Sequence, residues 1–484
     1  MTTVRFFLND HAIRAANQAP TTTLLNYLRA SGWTGTKEGC AEGDCGACTV
    51  VMIDTDAPGG PRFRAINSCL VLLPMMHGRR LYTVEGLRRQ GAYHPVQEAL
   101  AQALGSQCGY CTPGVVMSMF EACYRDDLDR PWKLDDQMCG NLCRCTGYRP
   151  IRSATATIAG SQPADEFRAA LANPAGERAF HSESPTVFIT PTSLSHLWQA
   201  LAQHPLASLV AGGTDLGLAV SKRFEALPEV ISLEAIDGLR GISRLSNGGW
   251  RFGATTLLAD IEAATEGELV PLHRMLRHFA SRQIKNRATI GGNLCNASPI
   301  GDLAPVLLAL DATLELRSAA GSREIAIADF FLDYRRTALS PTEILASITV
   351  PALSEDSRAS SYKVSKRREL DISSVAAAFV VKLDANGHVT TIRAAYGGVA
   401  AIPSRAHSFE AAMHGQPWTR DHLEAALSAL EEDFTPIDDH RGSAWYRQTL
   451  AANLARGFFL ETQDNHLPDL PERPSGTVSL GVLR

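Results

Sequence analysis

Apolar side chains fall on alternate positions at Val4, Phe6 and Leu8, the period of a strand with one buried face. Thr22 or Thr23 precedes Leu24, Leu25 and Leu28, which predicts a helix with a hydroxyl cap. The run Thr49-Val50-Val51-Met52-Ile53 is rich in β-formers, so residues 1–85 read as short strands and turns around one helix. From Pro95 the period lengthens: Val96, Ala99, Leu100, Ala103 and Leu104 recur at helical intervals. Thr112 as N-cap and Pro113 as first helical residue open the apolar run Val115, Val116, Met117, Met119 and Phe120, and Pro150 stands where another helix would begin. Residues 86–160 are therefore predicted as a helical unit. The stretch 161–184, rich in Ala, Ser, Glu and Pro with weak periodicity, predicts a mobile linker. Beyond it the pattern is α/β over 185–357. Over 358–470 strand-like runs at Val375–Leu383 and Val389–Tyr396 precede a helical tail with Leu423, Ala426, Leu427 and Leu430, and 471–484 is left as a C-terminal tail. The expected fold class is multidomain α+β.

Composition narrows the setting. A chain of 484 residues with 45% hydrophobic and 20% charged side chains can bury several cores. Its net charge of −5 gives no basic footprint for nucleic acid or an anionic membrane. No apolar run reaches the ~18 residues of a membrane span. The N-terminus has no long apolar core and carries an early acid, so it does not read as a secretory leader. Eleven cysteines in a chain without such a leader point to metal ligands rather than disulfides, and to the cytoplasm.

Their spacing carries the chemistry. Cys40, Cys45 and Cys48 form C-x4-C-x2-C, with Cys69 after a long gap, the plant-type ferredoxin spacing for a [2Fe–2S] cluster. The alternative, a structural zinc loop, ordinarily brings a second close-set pair, and Cys69 stands alone. A second set, Cys108 and Cys111 with Cys143 and Cys145, places each pair just before a predicted helix N-terminus, where the dipole favours an anionic cluster. Cys123, Cys139 and Cys295 read as bystander thiols.

Two glycine-rich stretches mark the α/β part. Ala211-Gly212-Gly213-Thr214-Asp215-Leu216 follows an apolar strand and can turn bare N–H groups toward a phosphate, although a plain strand-to-helix turn is equally compatible. It matches neither the dinucleotide nor the P-loop fingerprint. Thr289 to Asp302 offers two adjacent glycines and the polar groups of Asn293, Ser298 and Asp302.

These stretches, with Glu38 to Cys48, Gln107 to Gly114 and Gly140 to Pro150, resemble the xanthine dehydrogenase/oxidase family of molybdenum hydroxylases, in the same order along the chain. The resemblance implies a β-grasp plant-type ferredoxin domain, a four-helix-bundle [2Fe–2S] domain, an FAD-binding domain of the vanillyl-alcohol-oxidase/molybdenum-hydroxylase type and a small α/β C-terminal domain. Carried over by position, Cys40, Cys45, Cys48 and Cys69 hold one cluster and Cys108, Cys111, Cys143 and Cys145 the other. Ala211, Gly212, Gly213, Thr214, Asp215 and Leu216 wrap the FAD pyrophosphate. Thr289, Asn293, Ser298, Ile300 and Asp302 complete the phosphate and flavin contacts, and Phe279 packs on the cofactor. Ile344 and Leu345 lie near the adenine–ribose end, with Lys363 and Asp371 by the isoalloxazine. No side chain is assigned as a catalytic acid or base.

The molybdopterin-binding portion of that family has no counterpart in this sequence. The resemblance thus implies a separate small subunit of a bacterial xanthine dehydrogenase, paired with a large molybdopterin-binding subunit, two of each. Electrons from hypoxanthine or xanthine would pass from molybdenum through two clusters to FAD and NAD+. The alternative is the equivalent subunit of a related molybdenum hydroxylase with another substrate or acceptor.

Overall fold

A computed structural model describes residues 3–173, 176–183 and 186–463. The tail expected over 471–484 lies outside them, as do residues 464–470 of the C-terminal unit. The first unit is a five-stranded sheet ordered His11–Ala15, Val4–Leu8, Arg80–Tyr82, Thr49–Asp54 and Arg62–Asn67. Its first strand runs parallel to Arg80–Tyr82 and antiparallel to its hairpin partner, and the helix Leu24–Ala30 packs against it, as in a β-grasp. Of the two candidate caps it is Thr23 whose side chain accepts from Asn26 N–H.

Strand Thr49–Asp54 is buried along its whole length rather than on alternate residues. One face (Val50, Met52) joins the ferredoxin-like core. The other (Val51, Ile53) shares a core with Val96, Leu100, Val115, Phe120 and Ile151 of the helical unit. That unit comprises Pro95–Gln102, Thr112–Tyr124, Pro131–Met138 and Arg149–Ile158. Thr112 does not cap its helix: Cys111 occupies the cap position without a side-chain bond, and the Thr112 hydroxyl instead meets Ser106 Oγ at 2.6 Å. Pro150 does lie in the first turn of its helix.

The linker expected over 161–184 is corrected where the chain is described. Asp165 caps a helix, Glu166–Ala170, whose Phe167 is buried between Tyr82 and Phe120, ring centroids 5.3 and 5.1 Å away. Burial of an aromatic ring fixes a segment whose composition alone reads as unstructured. Phe180–Ser182 then starts the next sheet.

The α/β part has two larger sheets and a short antiparallel pair, Phe331–Asp333 with Arg336–Thr337. Phe180–Ser182, Val187–Thr190, Glu229–Ser232 and Ser208–Val210 form a four-stranded sheet, parallel in its last three members. Ile242–Arg244, Trp250–Gly253, Ile344–Val350, Thr313–Ser318 and Gly321–Ala326 form an antiparallel one. The last unit is an antiparallel sheet of Ser357–Val364, Val375–Leu383, Val389–Gly397 and Ser404–Arg405, backed by helices that include Ala444–Thr462. No described helix is long and apolar enough to cross a membrane.

Candidate redox centres

The eight expected cysteine ligands meet in pairs. Sγ of Cys48 and Cys69 are 3.3 Å apart, and Cys40 contacts Cys45. In the helical unit Cys108 contacts Cys145, and Cys111 contacts Cys143. In each pair one thiol is driven toward thiolate while its partner keeps the proton. The hydrogen bond from Cys45 holds Cys40 down to about 5, and that from Cys69 lowers Cys48. Cys108 is lowered first by the Tyr110 N–H and then by Cys145. Cys143 is lowered by Thr146 against the opposing effect of burial, while burial and then Cys143 push Cys111 up to about 12. Among the described residues no three Cys, His, Asp or Glu side chains converge on one point as a single ion would require. Two thiols for each of two irons is the ligand count of a [2Fe–2S] cluster. The N–H groups of Glu42 and Cys45 point at Cys40 Sγ at 3.4 and 3.3 Å, donors of the kind that stabilise an anionic cluster.

The two cysteine sites are joined by backbone. Leu142 N–H, next to Cys143, donates to Cys45 O at 3.0 Å. Gly46 has φ +69°, and a Cβ there would stand 2.1 Å from Gly140 O, while one on Gly114 would stand 2.1 Å from Gly46 O. Only glycine admits such an approach. Asn141 Nδ2 donates to Gly46 O at 3.1 Å.

The two glycine-rich stretches converge on a cleft of about 250 Å³ at the C-terminal end of strand Ser208–Val210. Ala211, Gly212, Gly213, Thr214, Asp215, Leu216, Phe279, Thr289 and Asn293 all line it. Asn293 Oδ1 is buried without a hydrogen-bond partner, an acceptor that a bound ligand's donor would satisfy. The Thr289 hydroxyl accepts from Gly292 N–H and fixes the start of helix Ile290–Cys295. Asp302 and Lys363 form a buried ion pair at 2.7 Å, and Ser373 donates to the other Asp302 oxygen at 2.5 Å. The cleft lining suits a dinucleotide, with a glycine turn for phosphates, an aromatic ring and the Asn293 acceptor; Asp302 and Lys363 are not among its lining residues.

Other expected residues lie elsewhere. Asp371 accepts from the N–H groups of Arg367 and Ile372 within its own loop. Ser298 and Ile300 are half-buried outside the cleft lining. Ile344 and Leu345 are buried in the sheet opposite Arg317 and Leu316. Sequence reasoning missed Leu209, Val210, Ile284, Ala288, Gly292 and Asn296 as cleft residues. Asn296 stands within the second glycine-rich stretch, but nothing in sequence marks Ile284.

The cleft abuts the ferredoxin-like unit. A Cβ on Gly217 would stand 2.0 Å from the carbonyl of Leu70, the residue after Cys69. Ser221 Oγ donates to Ala41 O at 2.7 Å, and Lys222 Nζ donates to Cys40 O at 3.2 Å.

Comparison with known proteins agrees with this layout. A family described as "2Fe-2S iron-sulfur cluster binding domain" matches residues 6–73, and "[2Fe-2S] binding domain" matches 83–156. "FAD binding domain in molybdopterin dehydrogenase" matches 179–353, and "CO dehydrogenase flavoprotein C-terminal domain" matches 360–462. The xanthine dehydrogenase of Emericella nidulans is 32% identical over 98% of this chain, which spans 39% of that protein. The xanthine dehydrogenase/oxidase of Mus musculus is 32% identical over 94% of the chain, which spans 38% of it. The chain thus covers about two fifths of the length of these curated relatives. Among solved structures, the carbon monoxide dehydrogenase of Hydrogenophaga pseudoflava superposes with TM-score 0.53 at 28% identity, over 56% of this chain and 94% of the other. Quinoline 2-oxidoreductase from Pseudomonas putida 86, at 23% identity, shares the fold with TM-score 0.54 over 59% of this chain and 100% of the other.

Proposed function

This chain belongs to the xanthine dehydrogenase/oxidase family of molybdenum hydroxylases, and we propose that it is the iron–sulfur and flavin subunit of a xanthine dehydrogenase. When bound, the clusters carry single electrons and FAD exchanges them for hydride chemistry with a nicotinamide. The observation that carries this reading is contiguity: two paired-thiol sites and a glycine-lined cleft follow one another without a gap, joined by the Leu142–Cys45 hydrogen bond and by the packing of Gly217 on Leu70.

The residues of the chain would hold and tune the carriers. Cys40, Cys45, Cys48 and Cys69 would ligate one cluster, and Cys108, Cys111, Cys143 and Cys145 the other. Ala211 to Leu216, with Thr289 and Asn293, would cradle FAD, Phe279 would pack on it, and the Asp302–Lys363 pair would set the charge beside it. On this reading a large molybdopterin subunit hydroxylates hypoxanthine or xanthine to urate, the assembly holds two small and two large subunits, NAD+ is the acceptor, and the complex works in the cytoplasm. The likeness to carbon monoxide dehydrogenase supports a second reading, the same electron-transfer role beside a subunit with a different substrate.

Anaerobic low-temperature EPR after adding NADH tests the proposal. Two distinct reduced [2Fe–2S] signals are expected. Signals that arise only with dithionite would reject NAD+ as acceptor, and none under either reductant would reject the electron-transfer role. Turnover of xanthine by the co-purified complex separates the two substrate readings.

A further inference from the structure

The short helix Arg282–Lys285 is inserted where three domains meet, and its successive side chains reach different neighbours. Gln283 Nε2 donates to Ser118 Oγ at 3.0 Å and Asn141 Oδ1 at 2.9 Å in the helical unit. Lys285 pairs with Asp136 of the same unit. Ile284 points elsewhere. It packs on the apolar group formed by Leu25, Cys48, Cys69 and Leu70. Its Cδ1 lies 3.1 Å from where a Cβ would stand on Gly43, inside the cysteine loop. It also lines the glycine cleft. One aliphatic side chain therefore touches the cysteine site on one side and the cleft on the other. The helix is locked by Ser281, whose side chain accepts from Ile284 N–H, and by the two anchors beside it, so the side chain has little freedom to withdraw.

We propose that Ile284 is a positioning residue for electron exchange, the apolar wall that keeps water out of the contact between the ferredoxin-type cluster and the flavin. This rests on the reading that the cleft holds FAD and the cysteines a cluster. In the working direction one electron leaves the cluster, one ferrous iron becomes ferric, and the electron enters the flavin; two such transfers complete its reduction. A reduced four-thiolate cluster carries one more negative charge than the oxidised one. Water admitted beside it stabilises the reduced form and raises the potential, because solvent exposure is among the factors that set it. The apolar shell around a centre controls that access. Truncating Ile284 opens a gap at this wall, since a close-packed neighbourhood refills such space only in part.

The test uses the full chain carrying its clusters and FAD, as wild type, Ile284→Ala and Ile284→Val. Redox titrations followed by EPR resolve the two clusters. In Ile284→Ala the oxidised-to-reduced ratio of the ferredoxin-type cluster should fall, on the order of tenfold, at a fixed potential as water reaches the cluster. That corresponds to an upward shift of about 59 mV for one electron. The helical-domain cluster should not move, and Ile284→Val should give a smaller shift in the same sense. After flash reduction of the flavin, electron transfer to the cluster, the reverse of the working direction, should quicken in the same order, because the raised cluster potential favours it. A purely structural role would lower cofactor content or thermal stability without singling out one cluster. Unchanged potentials and rates in both variants, or equal shifts of both clusters, would overturn the proposal. Should Ile284→Ala fail to fold, Ile284→Val alone decides. A wild type without two clusters and a flavin would instead reject the function on which this rests.

Discussion

His278 sits beside Phe279 at the edge of the flavin-domain cleft, where a proton is hard to place. Burial, and then the neighbouring Arg368 and Arg277, hold its imidazole down to about 4, and its Nδ1 is buried without a partner. The unfolded chain takes up that proton near pH 6.5, the folded chain only near 4, so between these values the unfolded state binds more protons. Stability from this group is therefore complete above about 6.5 and falls as the pH drops toward 4, by up to about 3 kcal/mol. Thermal melts of His278→Gln across that window should show a shallower decline than wild type, and parallel curves would refute the assignment. Residues of this kind are hard to read from sequence, because what silences His278 is burial in the folded chain and then Arg368, ninety positions away. The cysteines are the opposite case. Three of the four cysteines proposed as ferredoxin-type ligands fall within nine residues, so their spacing points to that chemistry before any fold is known.

At the scale of elements, the decisive contacts are buried ion pairs between units. Lys285 is fully buried, with Nζ 2.6 Å from both Asp136 and Glu262, so it ties the helical unit to the flavin domain. Arg64, also buried, links the ferredoxin-like strand Arg62–Asn67 to Asp260 of the flavin domain. Removing one partner from such a pair leaves an uncompensated buried charge, at a cost of about 3–5 kcal/mol. Lys285→Met should lower the unfolding free energy read from denaturant melts by an amount in that range and lose the helical-domain cluster first; an unchanged value would show that Asp136 and Glu262 find other partners. The element types were legible where the period was strong, as at Val4–Leu8 and Pro95–Gln102, or where β-formers ran together, as at Val375–Leu383. Helix Glu166–Ala170 was not, because five residues hold too little pattern and Phe167 is ordered by rings outside its own segment. The unalternating strand Thr49–Asp54 carried a signal that a domain-by-domain reading leaves unused, since a strand apolar throughout is covered on both faces.

For the whole molecule, the shared core means that the two cysteine-bearing units behave as one body, with the flavin domain docked on it through Leu70, Arg64 and Lys285. Removing FAD should therefore leave both clusters in place. The flavin-free protein is expected to keep two EPR signals under dithionite and to lose reduction by NADH; loss of either cluster on flavin removal would show that the cleft supports the cysteine loops. The joint between the two cysteine sites is made where Gly46, Gly114 and Gly140 bring main chain against main chain. A spacing set by peptide groups has no side chain to swell, shrink or change rotamer. The surrounding residues are then free to be redesigned for a different driving force, because the span between the two cysteine sites, which on the proposed reading an electron crosses, is written into the backbone and stays constant while the chemistry around it is retuned.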